Sequence, residues 1–350
     1  MAAPGRDPLK SKIPVTVLTG FLGAGKTTLL TKLLKHPDMN RAAVVINEIG
    51  EVGIDNDLVT MSTENISLLA NGCICCTVRT DLQDTLVDLF TKRKQGVIPD
   101  FDRVIVETTG LADPAPVIQT LSTDVMIANH FRLDGLVTLV DAVNGAGQLD
   151  REAQALKQAA VADRLLLTKV DLAEPIVVAS LRERLRSLNA EAEMRDVVMG
   201  DIDPAFLTQL GLRSVRSDEA AMQRFLGAVA YDNDAPSYLG SRLGARHDSS
   251  IKTFSLRFDE PFTWTVFSCA LELLASLRGP DLLRMKGIVN VEGKPVVVQG
   301  VQHIFSPPIE LERWPSDDQR TRLVFITRNI NAGTVEALLR AAGGLAASAG

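Results

Sequence analysis

The stretch Gly20-Phe21-Leu22-Gly23-Ala24-Gly25-Lys26-Thr27 meets the full G-x-x-x-x-G-K-[ST] pattern, and its flanks restrict the fold more than any other part of the chain. Before it, Val15-Thr16-Val17-Leu18-Thr19 is a short β-rich apolar run. After it, Thr28 to Leu34 repeats leucine at helical spacing. Strand, glycine loop and helix in that order predict the opening unit of an α/β fold. Glycines let the loop amides turn inward around phosphate oxygens, where the helix N-terminus adds partial positive charge. Gly20, Gly23, Ala24 and Gly25 are thus candidate phosphate-loop positions. Lys26 is placed to reach the β and γ phosphates of a nucleoside triphosphate, and the Thr27 hydroxyl to ligate Mg²⁺.

From Ile13 to about Tyr231 apolar runs alternate with helical stretches, the pattern of a mostly parallel sheet with crossover helices. Ala42 to Asn47, Arg103 to Glu107, Gly135 to Asp141 and Arg164 to Thr168 read as strands covered on both faces, and Asp81 to Lys94 and Asp150 to Ala160 as helices. Residues 232–250, rich in Asp, Asn, Pro, Ser and Gly, read as a linker. Beyond them Ile251 to Phe258, Val289 to Val291, Val296 to Phe305 and Arg322 to Thr327 are strand candidates. Thr263 to Leu277 and Gly333 to Ala342 read as helices, which makes residues 251–342 a smaller α+β domain. Residues 1–12 and the small-residue tail 343–350 are expected to be disordered.

The net charge of −6 and the lack of a dense Lys/Arg stripe argue against nucleic acid as a partner, and no apolar run reaches the length of a membrane span. The polar start MAAPGRDPLKSK has no apolar signal core, which points to the cytoplasm.

Val104-Ile105-Val106-Glu107 is an apolar strand ending in a carboxylate, with Gly110 three positions on. Such a carboxylate beside a phosphate loop can hold the Mg²⁺ shell, and the Gly110 amide can meet the γ-phosphate; a plain strand-end cap is the alternative for Glu107. Thr168-Lys169-Val170-Asp171 is a variant of N-K-x-D, in which the Asp171 carboxylate accepts two hydrogen bonds from guanine, so GTP is the expected nucleotide. The acidic, Gly-punctuated segment Asn47 to Asp55 has the position of a loop ordered by the γ-phosphate, and Glu48 is the first candidate for a catalytic base; an acidic surface loop is the alternative.

Cys73-Ile74-Cys75-Cys76 puts three of the four cysteines within four positions. Thiolates favour Zn²⁺, Cu⁺ and similar ions, so two or three of these sulfurs are candidate ligands, with Glu, His or water completing the shell. Buried thiols packed as small hydrophobes, or a vicinal disulfide between Cys75 and Cys76, stay open as alternatives. Cys269, inside an apolar helix, is expected in the core, and His303, in the QGVQHIF strand, in the core or on the surface.

Taken in order, TGFLGAGKTT, NEIGEVGID, NGCICC, ETTGLADPAPVIQT, DGLVTLVDA and LLTKVD resemble the CobW-like family of metallochaperone GTPases, relatives of the GTPases that insert nickel into urease and hydrogenase. LLRMKGIV, VQGVQHIF and LVFITRN look like that family's C-terminal domain. The resemblance implies a GTPase that carries Zn²⁺, or in some branches Co²⁺ or iron, to a client metalloprotein. It places Gly23, Gly25, Lys26, Thr27 and Thr28 at the phosphates, Glu48 and Glu107 near Mg²⁺, and Lys169 and Asp171 at guanine. It makes Cys73, Cys75 and Cys76 the metal motif, with Glu51 an auxiliary ligand. The chain departs from many members in lacking a His-rich stretch: His36, His130, His247 and His303 stand well apart, as befits a carrier of one or two ions. The expected function is GTP hydrolysis controlling a thiolate metal site, with a second copy of the chain a candidate partner. A GTP-binding metal sensor without turnover and a small-molecule kinase are the rival readings.

Overall fold

The computed structural model describes residues 11–47, 59–63, 66–69, 74–77, 82–208, 210, 222, 225, 226 and 251–347. Glu48, Glu51, Cys73 and the 232–250 segment lie outside the described residues. The chain divides into two compact units, one of Ser11–Arg182 with Glu193–Leu210, the other including Glu183–Ala192 and Gly211–Gly350.

The first unit runs β1 (Ile13–Gly20), α1 (Lys26–Leu33), β2 (Ala42–Asn47), β3 (Val59–Thr63), β4 (Ile66–Leu69), β5 (Ile74–Thr77), α2 (Leu82–Lys94) and β6 (Arg103–Thr108). It continues through α3 (Ala115–Thr123), α4 (Val125–His130), β7 (Phe131–Asp141), α5 (Gly145–Arg151), α6 (Ala153–Val161), β8 (Arg164–Thr168), the start of α7 (Pro175–Leu188), whose residues from Glu183 on belong to the other unit, and β9 (Glu193–Val197). The strands form one sheet in the order β3-β4-β5-β2-β6-β1-β7-β8-β9. From β5 to β9 every neighbouring pair is parallel, while β3 and β4 add an antiparallel edge. The central strands are buried along almost their whole length, as continuous apolar runs between two helical layers must be. On α1, Lys26, Leu29, Leu30 and Leu33 recur at i, i+3, i+4 and i+7, and this stripe faces the core.

Several elements differ from the sequence reading: β7 begins at Phe131 and the strand expected from Val289 begins at Leu282, both ahead of the expected starts, and three further elements depart as well. The cysteine segment is not a bare loop, because Ile74–Thr77 forms β5 in parallel register with β2, Val44 opposite Cys75 and Val45 opposite Cys76. Four residues are too few for an alternation signal, so β5 passes unnoticed in the sequence. The helix expected from Asp150 to Ala160 is two helices, α5 and α6, separated at Glu152, whose φ of −116° and ψ of 103° are extended. The run Val296 to Phe305 also splits.

The second unit contains β10 (Ile251–Phe258), α8 (Trp264–Arg278), β11 (Leu282–Val291), β12 (Lys294–Val301), β13 (Ile304–Phe305), β14 (Ile309–Glu310), β15 (Thr321–Arg328) and α9 (Ala332–Ala347). Its antiparallel sheet is ordered β10-β15-β11-β12-β13, with β14 on β12. Met285, Val289, Leu323 and Phe325 pack with Phe267, Leu271 and Leu274 of α8 and with Val335 and Leu339 of α9. Ile288, Val297 and Val324 pack on the opposite side with Met222, Phe225 and Leu226. Both faces are therefore covered, and every residue of β11 is buried. Thr263 caps α8, its hydroxyl accepting from the Val266 amide at 3.4 Å.

Cys269 is exposed, against expectation. The buried stripe of α8 is Phe267, Leu271 and Leu274, and Cys269 stands about 200° around the helix from Phe267. His303 is also exposed, in the Gln302-His303 turn between β12 and β13 where the sequence suggests continuous strand. Helix α9 runs on to Ala347, so 343–347 continue it and do not open a tail.

Candidate nucleotide site

The ends of β1, β6 and β8 carry the predicted loops to one edge of the sheet, where parallel α/β sheets hold their ligands. In the phosphate loop Gly23 and Gly25 have φ of 76° and 90°, left-handed values that glycine adopts without steric cost. Gly25 is the N-cap of α1, and its carbonyl accepts from the Leu29 amide at 3.0 Å. Among the described residues, nothing but its chain neighbours lies within 4 Å of where a Gly23 Cβ would stand. Thr27 and Thr28 are exposed at the start of α1.

Lys26 is 6% exposed, and its Nζ donates to the Gly20 carbonyl at 3.0 Å. A buried ammonium held back over its own loop is a charge aimed before any ligand arrives. Glu107 is wholly buried at the end of β6, opposite Leu18 of β1 and Ile46 of β2. One residue on, the Thr108 hydroxyl donates to that of Thr19 at 2.8 Å, tying the ends of the two strands. Gly110 is pressed against the phosphate loop, since a Cβ there would stand 2.8 Å from the Leu22 nitrogen. An alanine could not occupy that position without moving one of the two loops.

The 110–113 loop is anchored by residues that the sequence reading does not single out. From α6, Gln158 Nε2 donates to the carbonyls of Gly110 at 3.2 Å and Ala112 at 2.9 Å, Gln154 Nε2 donates to Ala112 at 2.6 Å, and Lys157 pairs with Asp113. The sequence signal for them is faint: polar residues on a helix more than 40 positions away mark a solvated face just as well.

The T-K-x-D motif from which base recognition is expected lies at the end of β8 and in the loop after it. The Thr168 hydroxyl donates to the Ala24 carbonyl at 2.8 Å, joining this loop to the phosphate loop. Lys169 takes a left-handed φ of 57° and directs Nζ to Asp141 Oδ2 at 2.8 Å. Asp141, 1% exposed at the end of β7, also accepts from the Val143 and Asn144 amides and the Asn144 side chain. Burial pushes its pKa up. The Lys169 ammonium, the Asn144 side chain and the two amides outweigh burial and hold the carboxyl below its ordinary range. Asp171 is exposed in the short turn Val170–Leu172. That exposure is what an acceptor expected to read a base requires.

The structure thus brings Gly20 to Thr28, Glu107, Gly110, Thr168, Lys169 and Asp171 to one edge. Cys75 and Cys76, described through their backbone, lie on β5 of the same sheet.

A phosphate loop, a buried strand-end carboxylate and a T-K-x-D turn on this sheet define a P-loop GTPase. The CobW/HypB/UreG nucleotide-binding domain matches residues 14–196, and the cobalamin synthesis protein cobW C-terminal domain matches residues 251–343. The chain belongs to the CobW/HypB/UreG family. It is 35% identical over 316 residues to the zinc chaperone YjiA of Escherichia coli, a match covering 90% of this chain and 93% of the relative. It is 30% identical to the zinc-regulated GTPase metalloprotein activator 1 of Schizosaccharomyces pombe, over 93% of this chain and 84% of the relative. The crystal structure of Zn(II)-bound YjiA GTPase from E. coli is similar, with 32% identity and a TM-score of 0.70 over 94% of this chain and 98% of that one.

Proposed function

We propose that this GTPase uses its nucleotide state to control a thiolate metal site and hands the metal to a client metalloprotein in the cytoplasm. Zn²⁺ is the cargo, with Co²⁺ and iron as the alternatives to be tested against it. Cys73, Cys75 and Cys76 are the proposed ligands, with Glu51 auxiliary. By the sequence bounds, residues 13–231 are the nucleotide-driven domain and 251–342 the appended one, joined by 232–250, while the compact units place 183–192 and 211–231 with the C-terminal sheet.

The observation that carries this reading is the register across the sheet. Cys76 stands opposite Val45, Val45 opposite Val106, and Val106 opposite Val17, three residues before Gly20. With neighbouring strands about 4.8 Å apart, the backbone of the cysteine strand lies roughly 14 Å from that of the phosphate-loop strand. The segment that joins them in sequence contains Glu48 and Glu51. A rearrangement at the γ-phosphate therefore has a short path to the thiols. The names of the relatives, which speak of zinc chaperones and a metalloprotein activator, support the same cargo and the same kind of partner.

In the hydrolysis, water attacks the γ-phosphorus in line, the bond from that phosphorus to the bridging oxygen breaks, and GDP and phosphate result. Lys26 and the loop amides stabilise charge on the phosphoryl oxygens, and Glu48 is the candidate to take the proton of the attacking water. Thr27, Glu48 and Glu107 are the residues that would hold a Mg²⁺ ion, which would supply charge neutralisation at the phosphates.

The test is the metal content of the purified chain, followed by chelator competition with Zn²⁺, Co²⁺ and Fe²⁺ on wild type, Cys75→Ser and Cys76→Ser. A hydroxyl is a far poorer ligand than a thiolate, so each substitution weakens binding of one ion tenfold or more, and binding weakens as pH falls. A titration indifferent to both substitutions and to pH places the metal elsewhere.

A further inference from the structure

Strands β8 and β9 are neighbours, with Thr168 in register with Val197, so their ends carry adjacent loops. The first is the base-recognition turn. The second is Val198-Met199-Gly200-Asp201, closed by the Asp201 amide donating to the Val198 carbonyl at 3.0 Å. Both central residues have positive φ, 50° at Met199 and 76° at Gly200. That is the pattern of a type I′ turn, which favours Asn, Asp or Gly at its first central position. Methionine is disfavoured there, and packing within the protein does not repay the strain, because Met199 is 74% exposed. Of the five non-glycine residues with positive φ among those described, the other four are Lys169, Glu292, Gln302 and Asn329, all polar.

Gly200 fixes where the turn sits. A Cβ on it would lie 2.8 Å from the Thr28 carbonyl and 3.0 Å from Leu29 Cα, so the turn is seated on the first turn of α1. A cleft of about 320 Å³ opens alongside, lined by Thr27, Thr28, Thr31, Lys32, Lys35 and Met199. It begins at the phosphate end of the site, and the neighbouring loop carries Asp171. A nucleotide with its phosphates at Gly25 to Thr27 and its base at Asp171 must carry its nucleoside past this turn.

We propose that Met199 is a nucleoside-contacting residue, its thioether side chain covering the purine and ribose of bound GTP. Methionine suits that place: it is apolar and adaptable, and its sulfur makes favourable contact with aromatic rings. The strain of the turn then serves to hold an apolar side chain against the ligand. The proposal rests on the orientation of GTP assigned above.

The test is calorimetric titration of the full chain with GTP, GDP and inorganic tripolyphosphate, each at fixed Mg²⁺, for wild type and Met199→Asn. Met199→Gly, which also fits the turn, is measured beside it in case the first variant folds poorly. Asparagine accepts a left-handed φ readily, so the melting temperature stays level or rises. Affinity for GTP and GDP falls about fivefold, as expected for partial loss of one methionine contact, and affinity for tripolyphosphate does not change. In turnover, KM rises and kcat at saturating GTP holds. If wild type and variants bind GTP equally, the contact is overturned and the nucleotide site stands. Equal losses for GTP and tripolyphosphate overturn it as well, because the effect then runs through α1. If wild type binds GTP no better than tripolyphosphate, the assigned orientation fails, and the proposal with it.

Discussion

Thr168 and Ala24, 144 positions apart, are joined by a hydrogen bond of 2.8 Å from the threonine hydroxyl to the alanine carbonyl. Both residues are buried. In sequence, Thr168 is the position where the base-recognition signature more often has asparagine, which makes it look like a weakened match. In the structure it ties the loop after β8 to the phosphate loop. Thr168→Val keeps the shape and leaves the Ala24 carbonyl without this donor. The expected cost is about 1–2 kcal/mol, read as a lower urea midpoint at unchanged slope, together with weaker GTP binding. A variant as stable as wild type, with the same GTP affinity, would show that the tie carries nothing.

The pairing of Lys169 with buried Asp141 predicts a pH dependence. The carboxyl is held below its ordinary range in the folded chain, so the folded state binds its proton less readily than the unfolded state does. Its contribution to stability is fully present above the unfolded value of about 3.9 and is lost as pH falls through the folded value. Asp141→Asn removes this contribution. The stability gap between wild type and Asp141→Asn should therefore be constant from neutral pH down to about pH 5 and close below about pH 4. Chemical denaturation at a series of pH values measures it, and a gap that widens on acidification contradicts the assignment.

Where the sequence speaks through long apolar runs bounded by turn residues, it is legible to the residue. The strand Arg164–Thr168 and the strand Ala42–Asn47 both fall where the pattern puts them. Short or interrupted elements are not legible: β5 has four residues, two of them cysteines, and the break at Glu152 lacks the Gly or Pro that marks most helix ends. Cys269 misleads because the apolar content of α8 does not disclose which face a residue lies on, and Cys269 lies on the exposed one. In the candidate site, Lys26, Glu107 and Thr168 belong to contiguous motifs that the sequence displays directly. Gln154 and Gln158, which hold the 110–112 loop, are not displayed, because they act through hydrogen bonds between distant segments that no local pattern encodes.

Lys26→Ala should lower GTP turnover by at least about a hundredfold, the scale of losing one preorganised donor at the transferring phosphoryl group. The structure adds a cost that the motif does not disclose, since Lys26 is buried and bonded to Gly20, so some stability goes with it. Turnover must therefore be measured well below the melting temperature of the variant. With folding confirmed by circular dichroism, turnover within about twofold of wild type removes Lys26 from the reaction.

The remaining prediction concerns the two sites together. The cysteine strand and the phosphate-loop strand are separated by β2 and β6, and β6 carries Glu107 at its end. Glu107 is in register with Ile46, and Ile46 with Thr77, the residue after Cys76. On the proposed function, this register is the route by which a change at the γ-phosphate side would reach the backbone that carries the thiols. If GTP tightens Zn²⁺ binding, linkage requires Zn²⁺ to tighten GTP binding by the same factor, typically about 5 to 150-fold for coupled sites. Free Mg²⁺ must be held constant, because it is part of the nucleotide ligand. Zn²⁺ affinity is to be measured by chelator competition with GDP and with a non-hydrolysable GTP analogue, for wild type and Glu48→Ala. The expectation is a difference between nucleotide states in wild type that shrinks in the variant. Equal Zn²⁺ affinity in both states would leave two independent sites on one sheet and end the case for nucleotide-gated metal transfer, even with each site intact.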